Sequence, residues 1–169
     1  NEAARLLKII GDFERIADHA VNLVHSSEEL QQKKMELSAP ALAELKVLTS
    51  AVSEILSLSL DAFLKDDLQS AVMVEPLEQV IDGLKEQLRT NHILRLQKEQ
   101  CSIEAGFVWS DMLTDLERVS DHCSNIAGCV MDMHEGKLNL HESLRAMKED
   151  REKFADRYSL YREKYALPQ

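Results

Sequence analysis

Apolar side chains recur along this chain at intervals of three and four residues, and that rhythm predicts helices throughout. Leu6, Ile9, Ile10, Phe13 and Ile16 open the pattern, Ala20 and Leu23 continue it, and a first helix is expected over 2–32. Ser38 followed by Pro40 marks a new start, because a proline in the first helical turn lacks only an N–H that has no helical partner there. The second helix should therefore occupy 39–64. Asp66-Asp67-Leu68-Gln69 reads as a capping box, with Gln69 reaching back over a turn opened by Asp66, and predicts a third helix over 67–97. Pro76 falls inside it and removes one backbone hydrogen bond, so a kink near Met73 to Glu75 is expected without a break. Ser102 is placed to cap a fourth helix over 102–135, with apolar positions at Ile103, Phe107, Met112, Leu116, Val119, Cys123, Ile126, Val130 and Met133, and Gly136 is placed to end it. Asn139-Leu140-His141-Glu142 is a further capping-box candidate, opening a charged helix that runs to Tyr165. Met147, Phe154, Tyr158, Tyr161 and Tyr165 give that last helix one docking face.

No segment alternates with period two for long enough to make a strand. Helices joined by short connections imply antiparallel neighbours, and the fold class is all-α: an antiparallel up-and-down helical bundle. The expected organisation is a bundle over 1–136 with a charged C-terminal helix, 137–169, packing on it. A chain of 169 residues with only 5 Gly and 3 Pro can bury one continuous core. Its helical rhythm is already running at Asn1, with no methionine before it, which points to a piece of something longer.

A formal net charge of -10 argues against nucleic acid, whose binding needs a basic footprint, and makes cations the natural partners. Cys101, Cys123 and Cys129 are odd in number and form no C-x-x-C pair, so neither a disulfide framework nor a thiolate zinc site is indicated. Cys123 falls on the apolar face and reads as an inert buried thiol; Trp109 reads as core. No uninterrupted apolar run reaches the roughly 18–20 residues that span a bilayer, and the first ten residues lack the layout of a signal peptide.

One internal repeat changes the picture. Asp12-Phe-Glu-Arg-Ile-Ala-Asp-His-Ala-Val-Asn-Leu23 aligns with Asp115-Leu-Glu-Arg-Val-Ser-Asp-His-Cys-Ser-Asn-Ile126 at 6 identities in 12 positions, and all the identities are polar. Repetition of a core alone would keep the apolar positions and let the polar ones drift. At about 100° per residue, Glu117, Asp121 and Asn125 form an outward stripe opposite Leu116, Val119, Cys123 and Ile126. Carboxylates four apart repel by roughly a few tenths of a kcal/mol, so something must offset them. A divalent metal suits such a set. Glu14, Asp18, Glu117 and Asp121 are the first-choice ligands; Asn22, Asn125, Glu78 and Asp82 are second choices. The third helix carries a matching stripe of Glu75, Glu78, Asp82 and Glu86, diluted by Lys85 and Arg89, which could meet a neighbour's carboxylates in a groove. For His19 and His122, surface or hydrogen-bonding roles outweigh ligation.

Glu-Arg-Ile-Ala-Asp-His-Ala-Val-Asn at 14–22 and Glu-Arg-Val-Ser-Asp-His-Cys-Ser-Asn at 117–125 resemble the two E(D)-x-x-x-D motifs of the phosphate-uptake regulator family PhoU. Phe107 to Val130, with Asp61-Ala-Phe and Glu75-Pro-Leu-Glu-Gln-Val-Ile-Asp82, is similar to the PhoU-like domain that follows the transmembrane part of sodium/phosphate cotransporter family proteins. The resemblance implies two three-helix repeats, each with its motif on the third helix and with iron or zinc in multinuclear clusters. It also implies a cytoplasmic regulatory domain of a membrane protein, with the transmembrane part of the same transporter as partner, and no enzymatic activity. Against that pattern the chain lacks the first two helices of repeat one. The face around Ile9, Ile16 and Leu23 is then expected to lack cover, and a homo-oligomer follows. A ligand-free structural oligomerisation module is the alternative. A di-iron bundle enzyme needs Glu-x-x-His on two helices, and none of the six histidines has Glu three residues before it.

Overall fold

The computed structural model describes residues 2–136 and 140–169, with the side chains of 140–148, 150 and 151 left aside. Its helices are α1 (Glu2–Gln32), α2 (Ala39–Leu64), α3 (Leu68–Gln97), α4 (Ile103–Glu135) and α5 (Leu140–Lys164). The first four begin and end within one residue of the spans expected from apolar periodicity, because each carries a continuous apolar stripe. Helix α4 is the hub, packed on α1, α2 and α3, while α2 lies on α3 and α5 lies on α3.

The neighbours are antiparallel, as short connections require. Along α3 and α4, Glu75 meets Ser124, Lys85 meets Glu117 and Arg89 meets Thr114, one sequence number rising as the other falls. Glu44 near the start of α2 accepts two 3.1 Å hydrogen bonds from Arg95 near the end of α3, plus one from Asn91 at 2.9 Å. The Arg95 guanidinium lies 5.6 Å from the centre of the Trp109 ring, so this buried pair ties α2, α3 and α4 together. Trp109, Leu48, Ile55, Leu77, Ile81, Leu88, Leu113 and Ile126 are fully buried along the core. Each such side chain contributes about 1.5–3 kcal/mol by leaving water.

The helix starts follow local chemistry. Ser38 accepts from the Ala41 N–H, and Ser102 from the Ala105 N–H. The cap of α3 is Asp67 and not Asp66: its Oδ1 accepts from the N–H groups of Gln69 and Ser70. Asp66 is instead the left-handed residue that ends α2, with φ of 52°. Lys34 (53°) ends α1 and Glu99 (54°) ends α3 in the same way. Each ending is closed by an N–H bonded five residues back, Met35 to Leu30, Asp67 to Ala62 and Gln100 to Arg95, which satisfies a terminal carbonyl. Gly136 does end α4, but in a right-handed conformation with φ of -61°, so its special freedom is not used. Helix α3 runs through Pro76 without a break.

Two expectations about apolar faces are corrected. Ile103 (72% exposed) and Phe107 (69%) stand in solvent, because the first turns of α4 pack through another face, that of Ala105, Gly106, Val108 and Trp109. Ile9 and Ile16 are buried, not uncovered, since α4 packs over them; Leu23 is half-buried beside an apolar groove of about 250 Å³ between α1, α2 and α4. The uncovered face of α1 is a different one, formed by Leu7, Ile10, Val21 and Val24. Trp109 is in the core as expected. Cys123 is also buried, and burial pushes its thiol up to about 12.

Helix α5 docks by the expected face: Tyr161 and Tyr165 are buried and Tyr158 packs beside them. Its Lys164 and Tyr165 both reach the Glu54 carboxylate of α2. Asn139, the capping box with His141 and Glu142, and the Met147 side chain lie outside the described residues. Among the described residues, α2 is one helix long and apolar enough to cross a membrane, yet it sits between α3 and α4 with Leu48, Ala51, Val52 and Ile55 buried.

Candidate functional site

The repeated motif has two faces, and the structure uses them differently. The first face joins α1 to α4. His19 Nδ1 lies 2.8 Å from Asp115 Oδ1, and Asn22 donates to the same oxygen at 3.2 Å. In reciprocal fashion, His122 Nδ1 lies 2.9 Å from Asp12 Oδ1, and Asn125 donates to it at 3.3 Å. A carboxylate accepts, so both rings donate from Nδ1. The two imidazoles stack between the pairs, with centroids 5.8 Å apart and planes 23° from parallel. With Arg5 reaching the Asp132 carbonyl and Lys33 reaching Glu104 at the ends, α1 and α4 form an antiparallel pair with a local twofold axis between the histidines.

This arrangement accounts for three of the six identities. Asp12 and Asp115, both buried, were not singled out among the candidate ligands, and they are the anchors of the crossing. The signal was available: Asp and His seven apart and Asn three further on share one helical face, and two antiparallel copies of that face complement each other. Asn125 is exposed, as the outward stripe predicts, and its amide also donates to Asp12; Asn22, likewise exposed, does the same toward Asp115. His19 and His122 take the hydrogen-bonding role. Beside the crossing, Asn22, His25, Ser26 and Glu29 of α1 face Asp111, Thr114 and Asp115 of α4 across a polar groove of about 370 Å³.

The second face carries the E-x-x-x-D pairs. In the α4 copy, Glu117 and Asp121 are not outward but half-buried against α3, where they meet its carboxylate stripe. Lys85, 8% exposed at the side chain, sends Nζ to Glu117 Oε1 at 2.6 Å, to Asp82 Oδ1 at 3.3 Å and to Glu86 Oε1 at 3.3 Å. Burial works against its charge, but these three acceptors outweigh it and hold the ammonium above the ordinary lysine range. Further along, burial together with Glu75, Asp121, Asp82 and Glu117 pushes the Glu78 carboxyl up to about 7. Asp121 is raised too, by burial and then by Glu117, with Arg118 opposing. Glu75 accepts from Ser124 Oγ at 2.7 Å. The α1 copy has no such partner: Glu14 and Asp18 are exposed, on the side of the helix that also shows Leu7, Ile10, Val21 and Val24.

The structure thus brings Glu78, Asp82, Glu117 and Asp121 into one groove and leaves Glu14 and Asp18 apart from it. All four are carboxylates, and Glu78 and Asp121 are raised by burial first and by neighbouring carboxylates second, while Glu117 and Asp82 already meet Lys85. The donors are not yet gathered around one point: among the described residues, no three His, Cys, Asp or Glu side chains are set to hold a metal ion.

The fold is an all-helical bundle with one E-x-x-x-D motif on α1 and one on α4, the latter facing carboxylates of α3. The PhoU domain family matches residues 45–130, which is half of the chain, and the chain belongs to the PhoU family. It is similar to the phosphate-specific transport system accessory protein PhoU homolog 1 of Thermotoga maritima, at 29% identity over 84% of this chain and 60% of the relative. A PhoU homolog of Zymomonas mobilis is 30% identical over 78% of this chain and 54% of its own length. That of Pseudomonas aeruginosa is 26% identical over 85% and 58%. The chain spans a little over half the length of these curated relatives. No solved structure matches it.

Proposed function

We propose that this chain is a non-enzymatic regulatory module of phosphate transport, a cytoplasmic PhoU-like domain attached to the transmembrane part of a sodium-dependent phosphate transporter. Membership of a family whose named relatives are accessory proteins of phosphate transport supports the regulatory half. Its likeness at Asp61-Ala-Phe and Glu75 to Asp82 to cotransporter-attached domains supports the attachment. The observation that carries a cation-binding role is the α3–α4 groove, where Glu78, Asp82, Glu117 and Asp121 share space and Glu78 is pushed up to about 7.

In this reading Glu117 and Asp121, assisted by Glu78 and Asp82, hold iron or zinc, whose charge adds to that which Lys85 already brings to Glu117 and Asp82. Glu14 and Asp18 provide half of an equivalent site, with the remaining donors coming from whatever packs on α1. Ion occupancy biases the α3–α4 packing, and a regulatory effect requires that the ion bind two packings with different affinity. The exposed Leu7, Ile10, Val21 and Val24 face makes a homo-oligomer the expected state. Metal analysis of protein purified without chelator tests the reading against a Glu117→Ala, Asp121→Ala double variant. Equal metal content in the two removes these ligands from consideration. Sedimentation of a Val21→Asp variant tests the oligomer: the wild type is expected to associate at micromolar concentration and the variant to be a monomer.

A further inference from the structure

Helix α5 does not seal the face of α3 on which it docks. Between them lies a cleft of about 610 Å³, larger than either groove described above. Its walls are apolar: Val80 and Leu84 from α3, Tyr158 and Tyr165 from α5, and Leu167 from the segment that follows. The floor stays open at Gly83, where an added Cβ would meet no atom within 4 Å. A glycine inside a helix weakens it, and no close neighbour calls for one here; what it leaves is room in the cleft.

The polar side of the cleft is selective in charge. Arg162 enters it from α5 and makes no ion pair or hydrogen bond among the described residues. On the α3 side stand Gln87 and Asn91. Gln87 donates to Asn91 and Asn91 donates to Glu44, each at 2.9 Å, so both amides keep a second N–H to give. The carboxylates that touch lining residues, Glu44 through Asn91 and Glu54 through Tyr165, are already matched by Arg95 and Lys164. A chain of net charge -10 thus keeps an unmatched cation here, beside amide donors and between aromatic walls.

We propose that this cleft binds a small organic monoanion, a carboxylate carried on an aromatic or branched apolar body, and that its occupancy fastens α5 to the bundle. The volume falls within the roughly 300–1,000 Å³ of small-molecule sites, whose make-up is apolar walls with a few convergent polar groups. One guanidinium matches one carboxylate in a two-pronged contact. A polyphosphate would leave most of its charge unmet, and inorganic phosphate would leave the apolar walls empty. Because the walls come from both α3 and the last turns of α5, the ligand favours the docked arrangement over any in which α5 has lifted away. None of the carboxylates of the α3–α4 groove takes part, so this site stands or falls apart from the proposed metal role.

Calorimetric titration of the whole chain with 3-phenylpropionate tests this, with 3-phenylpropanamide and inorganic phosphate as comparison ligands and Arg162→Gln and Gly83→Leu as variants. A dissociation constant on the order of 1 mM is expected for so small an acid. The neutral amide on wild type, and the acid on Arg162→Gln, should each bind about tenfold or more weakly. Gly83→Leu fills the floor with a better helix former, so it should abolish binding and melt no lower than wild type. Arg162 is exposed, so its variant keeps the fold and decides the question whether or not Gly83→Leu does. At about ten times its dissociation constant, the acid should slow amide exchange over 158–165 about tenfold in wild type. Equal affinity for acid and amide, or of wild type and Arg162→Gln, overturns the inference. Undiminished binding by a folded Gly83→Leu puts the ligand outside the cleft, and displacement of the acid by millimolar inorganic phosphate removes the apolar body from the ligand class. Binding without slower exchange in α5 overturns the fastening of that helix, and no binding of 3-phenylpropionate at about 20 mM overturns the site itself.

Discussion

Asp12 and His122 stand 110 positions apart in sequence and 2.9 Å apart across the α1–α4 crossing, and the equivalent Asp115 and His19 make the same contact in reverse. Replacing Asp12 by Ala strips His122 and Asn125 of their acceptor at a buried position, so a loss of about 1–3 kcal/mol is expected. Asp115→Ala should cost about as much, since it removes the mirror contact. Urea unfolding of the two variants measures this. A double-mutant cycle between Asp12 and His122 should show a coupling of about 0.5–3 kcal/mol, and additivity within error would mean the pair does not hold the helices together.

Glu78 makes stability depend on pH in a sense opposite to that of a salt-bridged carboxylate. Its folded value, about 7, lies above the ordinary 4.5, so the folded state holds the proton more tightly than the unfolded chain. That contribution is fully present below pH 4.5 and is lost as pH rises through 7. Glu78→Gln should therefore leave stability nearly unchanged at low pH and raise it at pH above 7 by about 1 kcal/mol, a figure discounted for the solvent that screens a half-exposed group. Unfolding curves at the two ends of that range check it. A variant equally stable or less stable at the alkaline end contradicts the assignment.

Three helices end on a left-handed residue that is not glycine, and two of these residues are free to change. Lys34→Gly and Glu99→Gly each relieve a Cβ clash of about 1–2 kcal/mol, offset in part by the extra freedom glycine gives the unfolded chain. A net gain of about 0.5–1 kcal/mol per site is expected in urea unfolding, additive in the double variant because the two sites share no contact. Asp66 is a poorer choice, as its carboxylate also meets His134 at 2.9 Å.

The hold of α5 on the bundle turns on Glu54. Burial raises that carboxyl, but hydrogen bonds from Lys164, Tyr165 and Tyr161 outweigh it and draw the group below its ordinary value. The sign is that of an ordinary paired acid: the contribution is present above pH 4.5 and is lost as pH falls through the depressed value. Glu54→Gln should loosen the end of α5 and accelerate amide exchange there, with α2–α4 protection little changed. Uniform loss of protection across all helices would show that α5 is not a separable element.

The helices were legible because apolar spacing and N-terminal caps are local, and Ser38, Pro40 and Ser102 each act within four residues of themselves. Asp67, taking the cap in place of Asp66, shows the limit of that reading: two adjacent aspartates satisfy the same pattern, and the left-handed turn that ends α2 decides between them. The site was half legible. Periodicity could separate polar from apolar sides of α1 and α4, but the polar side spans two contacts, one to the facing repeat and one to α3. Which polar residue enters which contact depends on tertiary packing, so neither the anchoring role of Asp12 and Asp115 nor the pairing of the exposed Asn125 with Asp12 shows in the spacing. Lys85 looked like dilution of an acidic face because a linear sequence does not show that its Nζ is buried among the acids of two helices.

The self-complementary crossing also explains why polar letters persist in both halves of the repeat while apolar ones wander. Asp12, His19 and Asn22 in one half are each read by His122, Asn125 or Asp115 of the other, so loss of a partner strands a buried aspartate or its histidine. The two halves are thereby bound to change in concert or not at all, and a duplicated segment becomes a matched lock whose two parts cannot be recut separately.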